Sequence, residues 1–291
     1  MNINSSTYIP AMNDLISGNL DTAYFDHPVM IIVHPDQGRM DLDDPKIIDG
    51  NSDIFLIAEA QKTPINCLNI VANGMTFKLT RECLPGIVDR SQVENLFATP
   101  IGLNSAAIGF TLGDHLVTGR HLMPINLMLL KIAQSIGQNL SATGIIWRPA
   151  GIHIGFDYFS EASYHYGRQG IFPLLSQIAV VEPSRKQIQT RGLNYFCGYE
   201  IRINFPSKGR RHDWIVHLLK LAQSAIRREK LAETNPLLNA SPEKSKLASI
   251  QNVGRCLEIN YSGGHSNRLK CPALAWKNFN QAAFGAASRT F

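Results

Sequence analysis

Residues 129–135 of this chain read LLKIAQS, and residues 218–224 read LLKLAQS. Each stretch follows a short apolar run and a basic loop, so the pair predicts a duplicated β-loop-α unit with halves 101–150 and 172–230. Leucine-rich amphipathic helices also resemble one another without duplication, because few residue types suit a buried stripe. Both explanations predict two amphipathic helices.

Both helices have recognisable ends. Pro124 suits a first helical position, and the apolar residues after it recur at helical spacing as far as Ile136. In the later helix, Asp213 lies near the start and Arg227 and Arg228 lie near the end, an order of charges that complements the helix dipole. The sequence therefore predicts helices at 124–138 and 212–229.

Strands are predicted by short apolar runs that are rich in β-branched residues and bounded by turn residues. Asn73-Gly74 is the favoured pair for a two-residue hairpin turn. The predicted strands are residues 29–33, 54–58, 68–71, 75–79, 106–112, 144–147, 174–181, 199–205 and 255–261. Residues 152–166 have neither a clean helical period nor a clean strand period.

These elements do not alternate strictly as βαβα, which favours an α+β fold. We expect a mainly antiparallel sheet that is covered on one face by the two amphipathic helices. The predicted domains are an entry segment at 1–25, a single α+β domain at 26–232, and a linker with a C-terminal extension at 233–291.

Composition limits the classes of function. The chain has 291 residues with 28 basic and 23 acidic side chains, a net charge of +5 that does not indicate nucleic-acid binding. No Lys or Arg precedes an apolar run at the start, and no apolar run reaches the length of about 18 residues that a membrane span needs. We therefore expect a cytoplasmic protein without a membrane segment, whose five scattered cysteines are reduced.

No catalytic or cofactor motif stands out in the sequence. Gly-x-Ser-x-Gly, the phosphate-binding P-loop and His-Glu-x-x-His are all absent, so no cofactor is expected and enzymatic activity is not indicated. Cys256, His265 and Cys271 carry suitable soft ligands, but they lack a fourth ligand at a characteristic spacing. The prediction is therefore that there is no metal site.

A basic group precedes the second helix. Its members, Lys208, Arg210, Arg211 and His212, form a candidate anion-binding site, because free backbone N–H groups at a helix start also attract anions. The alternative to a binding protein is a hydrolase or transferase acting on an anionic substrate, with Glu200 or His212 transferring the proton. Glu200 and Arg202 otherwise predict an exposed ion pair on one sheet face.

Aromatic residues concentrate around the unassigned segment. We consider five of them a candidate partner-binding surface, namely Trp147, Phe156, Tyr158, Tyr164 and Tyr166. Trp147 ends a strand, a position that favours a core or rim anchor over a substrate platform.

Residues 142–147 read ATGIIW and residues 190–201 read TRGLNYFCGYEI. Over about residues 140–206 this pattern resembles the bacterial domain of unknown function 4261 family, in which a strand ending in Trp precedes a Thr-x-Gly-Leu-x-x-Phe-Gly-x-x-Glu-Ile-like strand pair. Cys197 stands before Gly198 here and shifts the Phe-Gly step. The resemblance implies a compact bacterial α+β domain with an accessory or interaction role, and it implies no catalytic residue.

Together these observations predict a non-enzymatic bacterial protein-binding module, such as an immunity, chaperone or accessory protein with a protein partner. An injected bacterial effector is a further alternative, because delivery by an injection machine needs no secretory signal.

Overall fold

The computed structural model describes residues 27–35, 42, 44–48, 51, 53–58, 67–82, 84, 93–102, 105–205, 210–228 and 248–261. The chain divides into two compact units. Of the described residues, the first unit contains those up to 179, together with 191–200 and 254–256, and the second contains 180–190, those between 201 and 253, and 257–261.

Strands and helices both contribute to the fold, as the sequence predicts. The strands are β1 (Met30–His34), β2 (Leu56–Ile57), β3 (Cys67–Ala72), β4 (Met75–Glu82), β5 (Glu94–Leu96), β6 (Ala106–Leu112), β7 (Gly144–Trp147), β8 (Ile152–Gly155), β9 (Ala179–Ser184), β10 (Gln187–Arg191), β11 (Glu200–Asn204), β12 (Ala248–Val253) and β13 (Cys256–Tyr261). The helices are α1 (Pro45–Ile48), α2 (Asp114–Val117), α3 (Met123–Asn139), α4 (Phe156–Gln169), α5 (Leu174–Gln177), α6 (Asn194–Cys197) and α7 (Arg211–Ile226).

The larger sheet has eight strands in the order β2-β3-β4-β6-β1-β7-β8-β5. Its neighbours pair antiparallel except for β5, which runs parallel to β8. Asn73 and Gly74 join β3 to β4 with φ values of 48° and 75°, the left-handed conformations that a tight hairpin turn requires. The predicted α+β fold with a mainly antiparallel sheet is confirmed.

The central strands of this sheet are buried on both faces. Ile31 and Val33 point to one face, where they pack with Ala107, Ile146 and Leu84. Because side chains alternate along a strand, Met30 and Ile32 point to the other face, and both are also buried. Helices α3 and α4 pack against β1, β7 and β8 of the same sheet.

Helices α3 and α4 form an antiparallel pair. Near one end the Tyr166 hydroxyl donates to Met123 Sδ at 3.2 Å, and near the middle Gln134 Nε2 donates to Ser160 Oγ at 3.0 Å. At the other end Gly137 lies directly against the Phe156 ring, where a methyl group would overlap the ring. The glycine therefore allows the two helices to approach closely.

The second unit has its own sheet and helix. Five strands lie in the order β12-β13-β11-β10-β9, and α7 is the later of the two predicted amphipathic helices. Trp214 of α7 stacks on Phe205 at a ring distance of 5.6 Å and lies 4.9 Å from the Tyr261 ring. The apolar residues predicted for this helix are buried, namely Trp214, Leu218, Leu221, Ala222 and Ala225.

The two long helices lie in different units. We expected both to cover one sheet within a single domain at 26–232, but α3 belongs to the first unit and α7 to the second. A hydrophobic period shows which face of a helix is buried, but it does not identify the sheet that buries it.

Two local assignments are also revised. The predicted strand at 174–181 is the one-turn helix α5 followed by β9, and Ser176 Oγ donates to Pro173 O at 2.9 Å within that turn. The unassigned residues 152–166 form β8 and most of α4. A segment in which a strand passes directly into a helix shows neither period over its whole length.

The proposed duplication stays a prediction. In each unit the helix follows a strand that pairs with an earlier one, β6 with β4 and β11 with β10. The strands that follow the two helices are placed differently in their sheets. In the first unit β1 lies between β6, which precedes the helix, and β7, which follows it, whereas in the second unit β13 lies directly beside β11.

Two glycines of the helix pair provide a matched test of this packing. Gly137→Ala should lower the free energy of unfolding by about 1–3 kcal/mol, because the added methyl group overlaps the buried Phe156 ring. Gly167→Ala on α4 should raise it by about 0.5–1 kcal/mol, because its nearest neighbour would be Lys131 Cε at 3.7 Å and alanine favours the helix. Urea denaturation followed by circular dichroism measures both, and equal effects of the two substitutions would contradict the packing described.

Candidate functional site

The predicted aromatic surface divides into core and surface residues. Trp147 is 1 % exposed, and its Nε1–H donates to Gln177 O at 2.9 Å. Phe156 and Tyr166 are also buried, so these three rings belong to the core and can meet a partner only if the fold opens. Tyr158 is half-buried and Tyr164 is 52 % exposed, so only these two of the five predicted residues reach the surface.

Trp147 lies at the centre of a buried aromatic cluster. The Tyr195 ring meets it edge-on at 5.1 Å, and the Phe196 ring stacks at 6.2 Å. Phe172 continues the cluster at 5.2 Å from Phe196. Burial raises the pKa of the Tyr195 hydroxyl above its ordinary value, although the nearby Arg120 guanidinium opposes this shift. The cluster therefore stabilises the fold from within.

Phe97 is an exposed aromatic residue that the sequence analysis did not single out. It follows β5, its side chain is 60 % exposed, and its ring lies 5.1 Å from the Tyr158 ring at 47°. Its φ of 54° is left-handed, which is uncommon for a bulky residue. Such a conformation costs about 1–3 kcal/mol and persists only where the surroundings enforce it.

A glycine on β8 allows this conformation. The backbone of Phe97 passes so close to Gly155 that a Cβ there would lie 2.9 Å from the Phe97 carbonyl carbon and closer still to its oxygen. Any other residue at 155 would therefore push the Phe97 segment away from the sheet. No motif marks this role in the sequence, because the contact joins residues that are distant along the chain.

Gly155 pairs directly with Gly144 across β7 and β8. The space over Gly144 is filled by the ring of His153, which lies 3.1 Å (Cδ2) from the position of a Cβ. His153 is 1 % exposed, and its Nδ1 lies 3.2 Å from Oδ1 of Asn95 on β5. A histidine on β8 thus contacts β5 two residues before the approach of Phe97 to Gly155.

The start of β5 is held by further polar contacts. Glu94 N–H donates to Gly151 O at 2.9 Å, which begins the parallel pairing with β8. Arg191 Nε donates to Ala150 O at 2.6 Å, and its Nη2 lies 3.5 Å from the Glu94 carboxylate. β5 is therefore fixed at its first residue, Glu94, and again at Phe97, which follows its last residue.

The basic group before the second helix has acidic neighbours. Arg210, Arg211 and His212 lie exposed at the start of α7, and Lys208 lies outside the described residues. Arg211 forms an ion pair with Glu182, and Asp213 adds a carboxylate to the first helical turn. Both acidic groups reduce the attraction of this helix start for an anion.

Glu200 has a structural role that differs from the prediction. Its carboxylate accepts three backbone hydrogen bonds, from Gly192 at 2.8 Å, from Leu193 at 3.2 Å and from Asn194 at 3.2 Å. The expected ion pair between Glu200 and Arg202 is wrong. Arg202 instead donates to Gln189 Oε1 at 2.8 Å and lies 3.7 Å from the Glu258 carboxylate.

The residues of the family-like pattern are explained by these contacts. Thr190 Oγ1 accepts from Ile201 N–H at 2.8 Å, and Thr190 and Ile201 are both fully buried. Gly192 has a φ of 98°, and a Cβ there would lie 2.8 Å from Gln177 O. Together with the carboxylate of Glu200, these groups shape the connection from β10 to β11, so the pattern is structural.

A metal centre is not found in the described part of the chain. No group of three or more His, Cys, Asp and Glu side chains converges among the described residues. Of the three candidate ligands, Cys256 is half-buried on β13, and His265 and Cys271 lie outside the described residues.

The titration of His153 provides a test of the β8 and β5 contact. Burial lowers the pKa of His153 from 6.5 to about 4, so the folded chain holds this ring neutral while the unfolded chain protonates it. The free energy of unfolding should therefore fall as the pH drops from 6.5 toward 4. His217 of the second unit shifts in the same direction, mainly through burial and secondly through Lys220.

His153→Asn separates the two contributions, since it keeps a polar group that can reach Asn95 but removes the titration. In urea denaturation across this pH range, the variant should lose less stability than the wild type. An identical pH dependence of the two proteins would show that His153 is not held neutral by the fold.

None of the described helices is long and apolar enough to cross a membrane. No protein-family model matches the chain, and neither a search of curated proteins nor a search of solved structures gave a match. The resemblance to the domain of unknown function 4261 family therefore stays a prediction.

Proposed function

We propose that this chain is a non-enzymatic protein-binding module that contacts its partner through Phe97 and Tyr158. The observation that carries the proposal is Phe97, a large aromatic side chain that is 60 % exposed on a backbone with a φ of 54°. Strained residues concentrate at functional sites, because a fold gains no stability from the strain itself. The exposed ring likewise gains little from burial in the free protein.

The position of the pair suits protein recognition. Aromatic anchors supply much of the binding free energy in protein interfaces. Tyr158 supports Phe97 from α4, so the exposed ring is backed by a second, half-buried ring. Tyr164, with Arg168 lying 5.7 Å from its ring centroid, is another exposed aromatic residue of the same helix. A ring whose backbone is fixed by Gly155 and whose face is supported by Tyr158 presents a preorganised surface.

An immunity, chaperone or accessory protein would each act by holding another protein, and the family resemblance favours such a role. A bacterial origin and a cytoplasmic location are part of the same proposal. Its support is the surface just described, together with the structural roles of the groups that the enzyme alternative would need. Glu200 caps three backbone N–H groups, and Arg211 pairs with Glu182.

Phe97→Ala tests the proposal directly. Proteins captured by the immobilised wild-type chain should be identified, and the affinity of each purified partner should then be measured for wild type and variant. We expect at least about tenfold weaker binding by the variant, because an aromatic anchor at the centre of an interface contributes about 2 kcal/mol or more.

Leu56→Ala is the matched control. Leu56 is 70 % exposed on β2, the strand at the opposite edge of the larger sheet, so the variant removes a similar apolar area elsewhere. Affinity should be unchanged in this control. Equal losses in both variants, or no loss in Phe97→Ala, would contradict the proposed site.

A further inference from the structure

We infer that the partner segment seated on Phe97 and Tyr158 is an extended, basic polypeptide that pairs with β5. This inference rests on the proposed function and specifies the chemistry of the partner. It combines the position of β5 at the edge of the sheet with the charges around the aromatic pair.

The outer edge of β5 offers backbone groups to an added strand. Among the described strands, β5 ends the order of the larger sheet and pairs with β8. Glu94 N–H points toward β8, where it donates to Gly151 O at 2.9 Å. Because the backbone groups of successive residues in a strand point to opposite sides, those of Asn95 point away from β8. Asn95 is exposed, so an extended segment can reach them.

The length of this edge makes side-chain anchoring necessary. β5 has three residues, so strand pairing alone supplies few hydrogen bonds. Phe97 follows the strand immediately and presents its ring to a side chain of the added segment. An apolar residue in the partner would pack on this ring and gain the hydrophobic contribution that the short edge lacks.

Acidic side chains lie on α4 next to Tyr158. Asp157 is exposed beside Tyr158. Glu161 follows one turn later with 43 % of its side chain exposed, and its carboxylate lies 3.5 Å from His165 Nε2. Tyr158 and Glu161 are three residues apart on α4 and therefore lie on the same helix face. Burial and the charge of Glu161 together raise the pKa of the Tyr158 hydroxyl to about 12. Glu94, at the start of β5, is half-exposed and forms an ion pair with Arg191.

This acidic surface lies on a chain whose net charge is +5. Lys or Arg residues flanking the apolar anchor of the partner would complement it, whereas an acidic or phosphorylated segment would be repelled. The ligand that fits is therefore a segment of alternating apolar and basic residues in an extended conformation.

Labelled synthetic peptides test the inference with the full chain. The probes are KVTVKVTK, its glutamate counterpart EVTVEVTE, and KVTPKVTK, whose proline removes a backbone donor and resists strand pairing. In fluorescence anisotropy titrations we expect the lysine peptide to bind about tenfold more tightly than the glutamate peptide and about fivefold more tightly than the proline peptide. Added salt should weaken the binding of the lysine peptide.

Charge reversal on the protein completes the design. Glu161→Lys should weaken binding of the lysine peptide by about two- to fivefold and strengthen binding of the glutamate peptide. Asp114→Lys makes the same charge change in the first turn of α2, which contacts β4 on the far side of the larger sheet from β5, and it should leave both affinities unchanged.

The failures of the two proposals are distinguishable. If Phe97→Ala loses its captured partner while the lysine and glutamate peptides bind equally or not at all, the aromatic site stands and the basic, extended segment is wrong. If Phe97→Ala retains every partner, the proposed function fails whatever the peptides do. Loss of lysine-peptide binding in Glu161→Lys but not in Asp114→Lys would support the inference.

Discussion

The approach of the Phe97 backbone to Gly155 is the contact on which the proposed surface depends. It needs a position without a Cβ on β8 and a left-handed φ at Phe97, and both are present. The result is a parallel edge strand that ends in an exposed ring supported by Tyr158. Without this contact, nothing would stabilise the left-handed backbone conformation of Phe97, which is unfavourable for a bulky residue.

Burial explains why the remainder of the first unit is rigid enough to hold this surface. The four residues of β7 and of β8 are all buried, and the Trp147 indole is fixed by its hydrogen bond to Gln177 O. The pattern that resembles a bacterial family contributes to stability in the same way, since Gly192 and Glu200 shape the connection between β10 and β11. Glu200, a residue type that often acts in catalysis, therefore stabilises the fold in this pattern.

Much of the fold follows from the sequence, because strand and helix periods depend on neighbours along the chain. The hairpin at Asn73-Gly74 and the helices near 124–138 and 212–229 are of this kind. The assignment of the helices to separate units depends on distant contacts, which periodicity does not encode. The candidate site was only partly predictable, since Tyr158 belongs to an evident aromatic group, whereas Phe97 gains its importance from Gly155.

Hydroxyl-radical footprinting with mass spectrometry tests most directly whether Gly155 holds Phe97 exposed, because it reports the solvent exposure of single side chains. In the wild-type chain Phe97 should be oxidised rapidly, whereas the fully buried Phe77 and Phe110 should be protected. In Gly155→Ala the Tyr158 ring should become more reactive, because the displaced Phe97 segment no longer covers it. Protection of Phe97 in the free wild-type chain, or unchanged reactivity of Tyr158 in the variant, would contradict the claim that Gly155 holds an exposed aromatic anchor in place.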